Sequence, residues 1–165
     1  MTRKHWFVVA NRAGMRVFEQ PGIEPTVRLI ETVDHPEGRL MVREIVSDQP
    51  GIAESGPLSR GSALGKEESP KRHIEDTFAH AIARFLDHHA HAGDFDTVAI
   101  VAEPHLLGRL RAVLGAPARA RLRTTVKKDF GYLSDHAVAE RLHELLVTKD
   151  ERPIVEPHRL PGYER

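Results

Sequence analysis

Between Glu103 and Asp129 every charged residue is basic: Arg109, Arg111, Arg119, Arg121, Arg123, Lys127 and Lys128, with His105 beside them. The chain as a whole is neutral, with 24 Lys and Arg against 24 Asp and Glu, so no global field draws it toward nucleic acid or anionic lipid, and any such affinity has to be local. A block of this kind makes a positive potential able to receive phosphates. It holds no Phe, Tyr or Trp, so the stacking that reads single-stranded bases is not indicated by the block itself. A basic helix face balanced by acids elsewhere in the fold is the structural reading, and it stands level with an RNA or ribosome contact.

The remaining reactive groups assemble no recognisable catalytic set. Of eleven histidines, His80, His88, His89 and His91 gather with Asp87 toward the end of one helical stretch. His88 and His91 are three apart and share a face with His80, but a transition-metal site needs a third converging ligand and an outer shell. A solvated histidine face, with His89 nearer the core, accounts for the pattern. Gly61-Ser62-Ala63-Leu64-Gly65-Lys66 resembles a phosphate loop one residue short, with Glu67 where a hydroxyl belongs and no buried strand before it. Ser59 and Ser62 have no base in a recognisable elbow. The chain has no cysteine, which removes disulfides, thiolate metal sites and cysteine nucleophiles and fits a reducing compartment. No cofactor and no metal are expected.

The elements that must position these groups read as one α/β domain over 1–149. At 165 residues, 40% hydrophobic and 29% charged, the chain has the size and composition of a single globular domain. Trp6 to Ala10 is too short for a signal-peptide core or a membrane span, so a cytoplasmic location away from membranes is expected. Trp6–Ala10 and Met15–Glu19 form a hairpin around Asn11-Arg12-Ala13-Gly14, where the glycine tolerates positive φ, and Val27–Val33 alternates as a third strand. Residues 36–70 form a long Gly-, Pro- and Ser-rich loop with strand character only at Leu40–Val46, a length that points to function or disorder. Ser69 caps a helix with Pro70 at its first position and Ile74, Phe78, Ile82, Phe85 and His89 on one face, ending near Gly93.

Thr97–Ala102 is a strand buried on both faces. Pro104 opens a helix through Leu106, Leu107, Leu110 and Leu114, stopped by Gly115-Ala116-Pro117; Thr124–Lys128 is a strand; and Ser134 caps a helix with Val138, Leu142, Leu145 and Leu146 on its apolar stripe. Residues 150–165 read as a polar, poorly ordered tail. The order β-β-β-α-β-α-β-α, with antiparallel strands first and βα units after, is the connectivity of a ribonuclease H-like mixed sheet. Nucleases of that architecture hold two divalent metals with carboxylates from the first strand, the first helix, the fourth strand and the last helix. Here Asn11 stands in the first position, and only Glu75 and Glu103 fit two of the others, short of a two-metal set. Glu75 then reads as a first-turn complement to the helix dipole and Glu103 as a surface acid.

Several segments together resemble the bacterial host attachment protein family: Trp6 to Glu19, His35-Pro36-Glu37-Gly38-Arg39-Leu40, Ser47-Asp48-Gln49-Pro50-Gly51, Ala102 to Arg111, and Lys128-Asp129-Phe130. The resemblance spans most of the chain in the family's order. It implies a fold similar to the central domain of archaeal and eukaryotic class-one release factors and of Pelota, whose loop before the first long helix carries a Gly-Gly-Gln tip that promotes peptidyl-tRNA hydrolysis in the release factors. This chain has Arg60-Gly61-Ser62-Ala63-Leu64 there and no Gly-Gly pair, which removes the water-orienting glutamine.

The leading expectation is a non-catalytic binding module that contacts RNA or the translation apparatus, with ribosome or tRNA as partner. Its contacts would come from the basic block and from Arg60, Gly61, Ser62 and Lys66 of the loop. The alternative is a protein-interaction factor that contributes indirectly to host attachment or stress response. A metal-dependent hydrolase using Glu75, Glu103 and histidines ranks behind both.

Overall fold

The computed structural model describes residues 2–23, 25–40 and 70–147. Its elements are β1 (Lys4–Asn11), β2 (Gly14–Pro21), β3 (Arg28–Asp34), α1 (Pro70–Ala92), β4 (Thr97–Ala102), α2 (Pro104–Val113), α3 (Ala116–Arg121), β5 (Leu122–Lys127) and α4 (Asp135–Val147). The strands form one sheet in the order β3-β2-β1-β4-β5. β2 is antiparallel to both β1 and β3, whereas β1, β4 and β5 are parallel neighbours. This is the mixed α/β sheet expected from the sequence.

Side-chain alternation along the central strands builds two cores. Trp6, Val8 and Ala10 of β1 with Val98, Ile100 and Ala102 of β4 face one layer, where Phe78, Ile82 and Leu86 of α1, Leu106 and Leu110 of α2 and Ala118 of α3 cover them. Phe7, Val9, Ala99 and Val101 face the other side, under Phe130 and α4 residues Val138 and Leu142. A strand covered on both faces has no polar alternation. That is why Thr97–Ala102 reads as an unbroken apolar run.

The helix ends follow their local chemistry. Pro70 opens α1, as expected, and Gly93 closes it at φ 77°. The Gly93 N–H reaches the Ala90 carbonyl at 3.1 Å and the Asp94 N–H reaches that of His89 at 3.0 Å, the paired bonds of a glycine-terminated helix. Ser134 accepts the Ala137 N–H at 3.2 Å, the expected cap of α4.

Three expectations need correction. Gly14 has no positive φ; the positive-φ glycines among the described residues are Gly22 and Gly93. What Gly14 supplies is space, because a Cβ there would lie 2.5 Å from the Val33 carbonyl oxygen as β3 pairs with β2. Residues 36–40 are helical, with the Arg39 N–H bonded to the His35 carbonyl at 3.2 Å, so Leu40 does not begin a strand. The rest of the expected loop, Ser69 and the tail lie outside the described residues.

The third correction is α3, placed where Gly115-Ala116-Pro117 reads as a stop. Proline in a first turn starts a helix as readily as it ends one. The cap comes from α1, where Asp87 accepts the N–H of Gly115 at 2.9 Å and of Ala118 at 3.1 Å. A carboxylate at a helix start satisfies two orphan donors and complements the dipole. Asp87→Ala should therefore cost about 1–2 kcal/mol, whereas His88→Ala and His91→Ala on the exposed face of α1 should stay within about 0.5 kcal/mol. Urea unfolding of the three variants checks this, and equal midpoints for all three would refute the cap.

Candidate nucleic-acid interface

The parallel strands β1, β4 and β5 end on one edge of the sheet, the usual binding edge of open α/β sheets. Here ion pairs fill it. Arg12, in the two-residue β1–β2 turn, places Nε 3.2 Å from Glu75 of α1 and 3.2 Å from Glu103 after β4. Arg109 of α2 lies 3.2 Å from the other Glu75 oxygen and also pairs with Asp76. The His35 ring stacks on Phe78 at 3.9 Å between centroids, and its Nδ1 lies 2.6 Å from the Arg12 carbonyl oxygen. Asn11 Nδ2 and the Gly131 N–H both donate to one Asp129 oxygen, at 3.1 and 2.9 Å. Asn11 also accepts the Ala13 N–H at 2.9 Å and so shapes the turn that presents Arg12.

Glu75 and Glu103 thus do neither of the things expected of them. Glu75 lies beyond the first turn of α1, and both acids hold Arg12. Burial raises the Glu103 pKa; Arg12 pulls it back, and the carboxylates of Asp129 and Glu75 push it up again. Among the described residues no three His, Asp or Glu side chains converge in a metal-holding group. His80, His88 and His91 are exposed. His89 packs on Trp6 and Phe85, with Nδ1 2.6 Å from Asp94.

The basic block does not form one patch. Arg109 is committed to Glu75 and Asp76, and Arg111 donates to the Thr125 hydroxyl. Arg119 donates to the carbonyls of Arg111 and Leu114, at 3.1 and 3.0 Å, closing the end of α2. Arg121 donates to the Phe95 carbonyl and lies over the Phe95 ring. Arg123, Lys127 and Lys128 are exposed in or just after the edge strand β5 and have no ion pair among the described residues. Arg60, Gly61, Ser62 and Lys66 lie outside the described residues.

Beyond Lys128 the chain builds a feature that the block alone does not announce. Lys128, Tyr132, Leu133 and Arg141 share a shallow concavity of about 440 Å³ with Phe130 and Glu144. Tyr132 is 79% exposed. The turn carrying it is held from β2, where Arg16 donates to the carbonyls of Leu133 and Phe130 at 2.9 Å each and pairs with Asp135 at 2.9 Å. Phe130 anchors the same turn in the core. Arg141 pairs with Glu144 at 3.3 Å within the concavity, so an exposed aromatic on a fixed turn with Lys128 beside it combines a stacking face with one cation able to meet phosphate. Its sequence signal was an aromatic inside the polar turn between Phe130 and the Ser134 cap.

Strand order and direction define a mixed α/β domain whose carboxyl edge is organised by arginine. The chain belongs to the family described as "Protein required for attachment to host cells", whose family model matches residues 6–142. Among solved structures it is similar to the crystal structure of the archaeal translation termination factor aRF1, with a TM-score of 0.39 and 8% sequence identity, over 90% of this chain and 40% of that one. The chain therefore spans less than half of that protein's length. No curated protein sequence matches it.

Two glutamates with opposite pKa directions test the electrostatics. Burial also pushes the Glu19 carboxyl up, but the hydrogen bonds from Arg28 at 2.7 Å and Trp6 Nε1 at 3.1 Å, with the charges of Arg28 and Lys4, bring it below its ordinary 4.5. Its stabilisation is present above that value and is lost as pH falls through the lower folded value. Glu103 is the reverse: folding favours its neutral form, a contribution complete below 4.5 and lost as pH rises through the raised folded value. Glu103→Gln should therefore equal or exceed the wild-type Tm at pH 7, and Glu19→Gln should fall below it, with that deficit narrowing toward acid pH. Calorimetry across pH reads both. A Glu103→Gln protein several degrees less stable at pH 7 would show that the Arg12 contact outweighs carboxylate crowding.

Proposed function

We propose that this protein is a non-catalytic module that binds RNA, with ribosomes or tRNA as its cellular targets, through Tyr132 and the cations around it. The observation that carries this reading is the exposed Tyr132 on its pinned turn, sharing a concavity with Lys128, which has no ion pair among the described residues. Lys127 and Arg123 extend the same positive character along the β5 edge. The contact is thus shifted from the middle of the basic block to its end. Arg109, Arg111, Arg119 and Arg121 act within the fold instead. The carboxyl edge, where the two acids hold Arg12, has no role in this reading as a reaction centre.

A second reading, a protein-interaction factor acting indirectly in attachment or stress response, draws on the opposite sheet edge. Leu29 and Ile30 are exposed on β3, with Leu40 exposed after it. An apolar edge strand invites pairing with another chain. Binding that survives charge reversal at Lys128 would favour this reading over RNA.

Ribosomes pelleted from lysate at low salt should carry the protein and release it at high salt, and fluorescent single-stranded RNA should bind with a steep salt dependence. Tyr132→Ala should weaken that RNA roughly five- to hundredfold, the range of one lost base stack, with little change in salt slope. Lys128→Glu should weaken it across sequences and reduce the slope. Absence of both co-sedimentation and RNA affinity at low salt would reject the RNA reading.

A further inference from the structure

At the amino-terminal edge of the parallel strands, opposite the ion-paired edge, a groove of about 370 Å³ opens between the sheet and the end of α4. Its volume falls within the range of small-molecule sites, ~300–1,000 Å³. The floor is apolar, made by Phe7, Ala99, Val101 and Val126, and Leu142 and Leu145 of α4 form the roof. Gly22, Ile23 and Pro25 line one side, and the Pro25 carbonyl lies 3.1 Å from His143 Nδ1 of α4.

The polar groups converge on one sign of charge. Among the described lining residues there is no carboxylate; there are Arg123, His5 and His143. His5 Nδ1 lies 2.6 Å from the Thr97 hydroxyl. Burial, then Arg123, lowers the His5 pKa, with Arg3 in the same direction and Asp96 opposing. Arg123 is therefore the fixed cation of the rim.

The backbone places it there. β4 and β5 slip register at Val98 and Ala99: Val98 pairs with Leu122 and Ala99 with Thr124, so Arg123 is the extra residue of a bulge. Bulges re-aim side chains and recur beside binding sites. Leu122 packs toward the α1–α3 layer, whereas Arg123 lines the groove on the α4 side. It has no ion pair among the described residues that would occupy it structurally.

We infer that this groove binds a small amphipathic carboxylate, an aliphatic or aromatic acid whose body lies on Phe7, Val101 and Val126 and whose carboxylate meets Arg123. This site is separate from the Tyr132 concavity and does not depend on the RNA reading. Octanoate and 1-octanol are matched probes, differing mainly in the charged head. Titrated into the full ¹⁵N-labelled chain, octanoate should shift the amide signals of Phe7, Ala99, Val126 and Leu142 saturably, and octanol should bind more weakly. Arg123→Gln should weaken octanoate by roughly tenfold or more, as the loss of a charge-assisted contact requires, and leave octanol unchanged. Unchanged dispersion of the variant's spectrum shows that it is folded. Equal binding of the two probes, or octanoate binding indifferent to Arg123→Gln, would overturn the proposal. So would nuclear Overhauser contacts from Val126 or Leu142 to residues 148–165, which would make the chain's own C-terminal segment the occupant.

Discussion

The Arg12 guanidinium between Glu75 and Glu103 is the contact on which the carboxyl edge of this fold depends. Arg12 belongs to the β1–β2 turn, Glu75 to α1 and Glu103 to the junction of β4 with α2, so one side chain ties three segments far apart in sequence. Glu75 then passes the connection to Arg109 and α2. Removing Arg12 would be the costly break, because Glu75 and Glu103 would then crowd each other with no cation between them. The environment of Arg12 shows the same economy: Asn11 shapes its turn, and His35, stacked on Phe78, sits on its carbonyl. The two carboxylates thus share one cation supplied by the protein itself.

What could be read from the sequence was whatever depends on neighbours in the chain. The β1–β2 hairpin, the doubly buried β4, the Pro70 start and Gly93 end of α1 and the Ser134 cap rest on local periodicity and capping chemistry. α3 was not legible, because its cap, Asp87, lies 28 residues before Gly115. Gly14 was recognised as special for a reason that does not apply, since what it must avoid is a carbonyl on β3 rather than a left-handed backbone. Glu75 and Glu103 likewise looked ordinary, because no spacing rule connects position 12 with positions 75 and 103.

The basic block shows how a charge run in sequence differs from a charged surface. A helix and a strand point successive arginines in different directions, and each guanidinium carries several donors that seek carbonyls. Arg119 finished the end of α2 and Arg121 fastened the start of β4 through Phe95. In a chain with no net charge, cations that close helix ends and bridge elements are no longer available to a ligand. Those that remain lie at the margin: Arg123 at the bulge, Lys127 at the end of the edge strand and Lys128 beside Tyr132.

This distribution decides where binding chemistry has room. The carboxyl edge, the default site in an open α/β sheet, is occupied by its own ion pairs, with Glu75, Asp76 and Glu103 holding Arg12 and Arg109. The β5 margin instead carries Arg123, Lys127 and Lys128, exposed and with no ion pair among the described residues. Two features of that margin are built rather than incidental: a turn fastened by Arg16 that holds Tyr132 out of the core, and a bulge that turns Arg123 onto an apolar groove. They flank the same helix, α4, since Leu145 lines both concavities. α4 thus covers one face of the sheet and at the same time forms a wall of each site, so its seating against Phe130 and Val101 sets the shape of both.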